Sequence, residues 1–146
     1  MQGRGHRSCE VRILGEELPG GAGALSGPAI VIAESSLDRA ELARLAALYF
    51  KDMVKLVVDI RRQVVAVGGE LQADAEELLL QSGSRQEDLW GANYYPGRGP
   101  DACIEFTALI NIRPAAGNPT MEIADPAVRQ AVRDVTFALV GKGEPL

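Results

Sequence analysis

The sequence predicts a single α+β domain, with a largely antiparallel sheet and helices on one face, in the order β-α-β-β-α-β-β-α. Three observations carry this. Residues 53–60 (MVKLVVDI) alternate apolar and polar side chains, and residues 64–68 return after two arginines as the second arm of a hairpin. Residues 103–113 set Ile104, Phe106, Ala108, Ile110 and Ile112 against Cys103, Glu105, Thr107, Leu109, Asn111 and Arg113, a mostly polar set. That alternation describes a long strand with one buried face. Segments of helical spacing lie between and after these strands, and hairpins and short loops build antiparallel pairs.

The elements follow in order. The 146 residues suit one domain. Residues 1–27 are rich in Gly and Arg and lack periodicity, so they read as a flexible N-terminal extension. Val11, Ile13, Leu14 and Leu18 support at most a short strand or a helical turn there. Residues 28–146 form the domain. Residues 29–33 (AIVIA) are a buried strand, and Ser35 or Ser36 is placed to cap a helix over 37–50, with Leu42, Leu45, Leu48 and Tyr49 on one face.

A two-residue turn at Arg61 and Arg62 sets Val58 opposite Val65 and Leu56 opposite Val67. Asp74, with Glu77 three residues on, resembles a capping box that starts a second helix, and Gly83 stops it. Residues 88–95 (DLWGANYY) are the next strand, and residues 96–100 (PGRGP) form a loop. Residues 103–113 then make a central or near-central strand, ended by Pro114, with Ile110 as its core anchor. Asp125 and Pro126 open the last helix. Val128, Ala131, Val132, Val135 and Leu139 are its buried stripe, and Gly141 ends it.

The net charge of -5 lies wholly in residues 28–146, because the three Arg and three Glu of residues 1–27 cancel. An acidic domain without a basic run repels phosphate backbones at long range, which argues against nucleic acid and anionic membranes as partners. No apolar run approaches the roughly 20 residues of a membrane span. Charges interrupt the N-terminus where a signal peptide needs its apolar core, so the expected location is cytoplasmic. Cys9 and Cys103 fit that location, with no structural disulfide expected between them.

Residues 53–60 (MVKLVVDI), the run GGEL-x-AD (residues 68–74), GS-x-Q-E-D-LWG (residues 83–91) and INIRP (residues 110–114) together resemble an uncharacterised prokaryotic family, domain of unknown function 5674, over residues 29–141. The resemblance implies no activity.

The residues themselves exclude several chemistries. The single histidine, His6, lies in the extension, so the domain holds no Ser-His-Asp or Cys-His device and no His-based metal site. No catalytic residue, metal ligand or cofactor is predicted. Cys103 reads as a buried, inert thiol. The polar groups expected on the open face of the sheet are Glu70, Asn93, Tyr95, Glu105, Asn111 and Arg113, with Asn118 beyond them. Arg113 beside Asn118 has the geometry to grip a carboxylate or phosphate, and the plainer alternative pairs it with Glu105 or Asp59.

The expected function is a non-catalytic module that binds a small anionic ligand or a protein partner and self-associates through its sheet as a homo-oligomer. The alternative is a small Mg²⁺-assisted hydrolase that uses carboxylates from Glu70, Asp74, Glu76, Glu77, Asp88 and Glu105. Convergence of Glu70, Asp88 and Glu105 separates the two.

Overall fold

The computed structural model describes the main chain of Cys9–Val11 and residues 27–146. Strands β1 (Cys9–Val11), β2 (Ile30–Ala33), β3 (Val54–Asp59), β4 (Val64–Gly68), β5 (Leu89–Tyr94) and β6 (Ile104–Glu105) form one sheet, in the order β1-β2-β4-β3-β5-β6. Every neighbouring pair is antiparallel. Helices α1 (Arg39–Tyr49), α2 (Gln72–Gln81) and α3 (Pro126–Leu139) complete an α+β domain. The expected flexible extension, with Ile13, Leu14 and Leu18, lies outside the described residues. Of it only Cys9–Val11, which pairs with β2 at the sheet edge, and Gly27 are described.

The β3–β4 hairpin has the register that its alternation required, with Leu56 opposite Val67 and Val58 opposite Val65. Its turn is wider than the expected two residues. The Asp59 carboxylate accepts the N–H groups of Arg61 at 2.9 Å and Arg62 at 2.8 Å, and Gln63 closes the turn at a φ of 60°. Asp is suited to that work because its side chain bonds the main chain just ahead of it.

The helices cover both faces of the sheet, not one. α1 and α3 pack on the face formed by Val31, Leu56, Val58, Val67, Trp90 and Tyr94. α2 packs on the other, against Ile30, Ile32, Val57, Ala66 and Leu89. The reason lies in β2 and β4, where every residue is buried, so both of their faces need cover. The uninterrupted apolar runs at residues 29–33 and 64–67 carry that signal.

Two helix starts differ from expectation. α1 begins after Asp38, and neither serine caps it. Leu37 is instead buried, and its N–H donates to the Leu139 carbonyl at 2.8 Å. α2 begins at Gln72, which places Asp74 in its first turn, where its charge suits the helix dipole. α3 starts as its sequence requires, with the Asp125 carboxylate accepting the Ala127 N–H at 2.8 Å and Pro126 following. Val132 and Val135 are buried, with Val128 and Leu139 packed beside them. Tyr49 lies off the α1 core face, 39% exposed.

The largest correction concerns residues 103–113. Only Ile104 and Glu105 are strand. The chain then turns away from β5 and bonds to residues 121–123 through Ala108 N–H to Met121 O at 3.1 Å and Ile123 N–H to Phe106 O at 3.0 Å. A 3-10 turn over Leu109–Asn111 follows. Phe106 and Ala108 are buried as expected, but Asn111 is 0% exposed and Ile112 is 41% exposed, so the alternation inverts. Ile110, the expected core anchor, is only partly buried. Gly91 of β5 permits the departure: a Cβ there would stand 2.5 Å from Ala108 Cβ and 3.1 Å from Ile110 Cγ1.

Tyr94 ties the C-terminal residues to the core. It is fully buried, and its hydroxyl accepts the Gly143 N–H at 2.8 Å. Burial raises its pKa above the ordinary 10.0. The resulting stability is fully present below pH 10.0 and is lost as pH rises through the raised value. Denaturant unfolding should therefore lose stability above that pH more steeply in the native chain than in Tyr94→Phe. Parallel pH curves would show that the phenol does not contribute. Cys103 is also buried, and burial raises its thiol pKa, which keeps it protonated.

Candidate functional site

The expected polar set divides into two groups along the outer edge of β5. Asn111, Arg113 and Asn118 belong to the first, and all three are engaged with main chain. Beyond the short pairing of β6 with Asn93 and Tyr94, no further strand among the described residues lies along this edge. The Asn111 side chain takes its place. Its Oδ1 accepts the Gly91 N–H at 2.8 Å, and its Nδ2 donates to Gly91 O and Met121 O, each at 3.0 Å.

Further along the edge, the Arg113 guanidinium donates to Gln86 O at 2.9 Å and, closer still, to Leu89 O. It lies 4.2 Å over the Trp90 ring. Burial lowers its pKa, and Glu76 acts in the opposite direction. Neither Glu105 nor Asp59 pairs with it among the described residues. Asn118 is 3% exposed. Its Nδ2 donates to the carbonyls of Asn111, Thr120 and Glu122, and its Oδ1 accepts the Ala124 N–H. These are the fastenings of an irregular segment.

Lys cannot reproduce a planar fork that spans two carbonyls and stacks on an indole. Arg113→Lys should therefore lower stability by about 1–2 kcal/mol, the scale of hydrogen bonds made by a charged donor. A chemical melt of Arg113→Lys that overlays the native one would show that the two carbonyl bonds add nothing.

Asn93, Tyr95 and Glu105 form the second group, at the opposite end of β5 from Leu89. Glu105 sits opposite Asn93 in the β5–β6 register. One oxygen of its exposed carboxylate, Oε1, accepts both Asn93 Nδ2 at 2.9 Å and Tyr95 OH at 3.0 Å. Asn93 is held in turn by Gln72, whose Nε2 donates to Asn93 Oδ1 at 3.0 Å and to Ala92 O at 3.2 Å. Gln72 is 8% exposed and is the first residue of α2. A row of hydrogen bonds thus runs from a buried amide to a surface carboxylate.

Tyr95 has a raised pKa, first from burial and then from its hydrogen bond to Glu105. The Arg98 guanidinium lies 3.7 Å over its ring. Lys55 is paired with Asn93 across β3 and β5, so its side chain leaves the sheet on the same face, and its ammonium lies 5.2 Å from the centre of the Phe50 ring. Glu70 is exposed in the turn before α2 and makes no bond to this row among the described residues.

Sequence reasoning missed Gln72, Lys55 and Arg98. Lys55 was open to discovery, since the alternation of β3 and β5 already places it beside Asn93. Gln72 required knowledge that α2 begins two residues earlier and packs on this face. Arg98 lies in what reads as a plain loop.

The carboxylates of the alternative reading do not converge. Asp88 adjoins the Leu89 end of β5 and pairs with Arg61 at 2.9 Å, whereas Glu105 lies at the Tyr94 end. Among the described residues no group of three His, Cys, Asp or Glu side chains is arranged to hold a metal ion. Among them, too, no helix is long and apolar enough to cross a membrane.

The family model for proteins of unknown function DUF5674 matches residues 31–139. No curated protein and no solved structure matches the chain. The chain belongs to the DUF5674 family.

Proposed function

We propose that this DUF5674 domain is a non-catalytic module that binds a small polar ligand on the row Gln72–Asn93–Glu105–Tyr95. The observation that carries the reading is the double bond acceptance at Glu105 Oε1. Two fixed donors orient the carboxylate before any ligand arrives, which removes part of the ordering cost of binding. Its other oxygen then offers an acceptor for an N–H group. Lys55, on the same face, adds a donor for an acceptor group of the same ligand. A small zwitterion or amide satisfies both. A purely anionic ligand is less suited, because Arg113 is held by carbonyls and Glu105 repels it.

The non-catalytic reading is supported by the state of Tyr95, the one nucleophile in the row that stands beside a base: burial and its hydrogen bond to Glu105 raise the phenol's pKa and so keep it protonated. Both sheet faces are covered, so self-association would be confined to the edges β1 and β6. The test is a thermal-shift screen of zwitterions and amides on the native chain and on Glu105→Gln, since native-state binders raise the melting temperature. The expected result is a set of hits lost in Glu105→Gln. Hits that stabilise both chains equally would overturn the assignment.

A further inference from the structure

A cleft of about 280 Å³ opens at the far end of the sheet from that row, between α3 and the ends of β2, β3 and β4. Ile60, Ala131, Val135, Ala138 and Leu139 give it apolar walls, while Glu34, Gln63 and Asp134 complete its lining. Among the described residues no basic side chain pairs with Glu34 or Asp134. Asp134 has a neutral partner, the Gln130 amide, which donates to it at 2.8 Å. Two carboxylates with no basic partner among the described residues therefore flank a partly apolar cleft, on a chain whose net charge is already -5. The volume lies just below the roughly 300–1,000 Å³ of ordinary small-molecule pockets, so the occupant it suits is small.

We propose that this cleft binds a small organic cation, a compact apolar body that ends in an ammonium group. The body displaces water from the walls of Ile60, Ala131 and Ala138, and the ammonium donates to Glu34 and Asp134. Charge complementarity selects the cation: a neutral analogue leaves both carboxylates without a partner, and an anion is repelled.

The test uses phenethylammonium as the probe and phenylacetate as a control of matching body and opposite charge. Each is titrated into the full chain and followed by amide chemical shifts in NMR. Phenethylammonium should bind saturably, with shifts centred on residues 60–63 and 131–138, and phenylacetate should not. Glu34→Gln combined with Asp134→Asn should weaken binding at least about tenfold, the scale of lost charge-assisted hydrogen bonds. Ala138→Leu fills the cleft from an exposed helix position, so it should keep the native spectrum and abolish binding. Absence of saturable phenethylammonium binding at millimolar concentration would overturn the proposal. So would equal binding of phenylacetate, or unchanged binding to Ala138→Leu.

Discussion

Asn111→Ala is expected to cost about 3–5 kcal/mol. Truncation removes an amide that is 0% exposed and that satisfies three main-chain groups: Gly91 N–H, Gly91 O and Met121 O. Each buried polar group left without a partner costs about 1–3 kcal/mol. Urea unfolding read by the single tryptophan, Trp90, would show the loss as a fall in midpoint at unchanged slope. A loss under about 1 kcal/mol would mean that Gly91 finds another partner when the amide is gone. Asn111→Asp should be no better, since it keeps the acceptor but removes both donors and buries a charge.

The second large effect is expected at Gly68→Ala. Gly68 ends β4 at a φ of +108°, and a Cβ there would stand 2.4 Å from the Ala29 carbonyl oxygen. That oxygen is main chain and cannot swing aside. The substitution must therefore either strain φ or push β2 away from β4. Strain of this kind costs about 1–3 kcal/mol, and forcing atoms into a filled space costs about as much again. Their sum places the loss at about 2–6 kcal/mol. Gly83→Ala is the control, with a φ of +111° but nothing within 4 Å of the added carbon. The difference between the two variants isolates the contact with Ala29. Equal losses in both would show that the main-chain angle alone sets the cost.

Most of the sheet was legible in the sequence because its signals are local. The alternation at residues 53–60 and the return at 64–68 fixed both the hairpin and the facing of Leu56 against Val67. Asp125 with Pro126 announced α3 for an equally local reason, a cap followed by a residue with no N–H to lose. The segment after β6 was misread because Phe106, Ala108, Ile110 and Ile112 keep a strand's period while the chain is turning. A strand's period says nothing of where the chain leaves the sheet: Phe106 and Ala108 are buried as a strand would bury them, but in the turn that follows Ile110 is only partly covered and Ile112 faces water. The roles of Asn111, Arg113 and Asn118 are tertiary, since each bonds main chain well away in sequence or across a loop. The polar row was half legible. Asn93, Tyr95 and Glu105 follow from strand period, whereas Gln72 enters only through the placement of α2 on the second face.

The way β5 is closed has a consequence for how the chain avoids misassembly. A strand edge covered by another strand can be covered again two residues out of step, because main-chain donors and acceptors repeat. An exposed edge also invites a strand from another molecule. Along β5 the partner past Asn93 is one amide and one guanidinium, each fitted to particular atoms of Gly91, Leu89 and Gln86. Such a closure has no second position to slip into. It works as a key in a lock, giving β5 a single permitted alignment and denying its remaining donors and acceptors to a foreign strand.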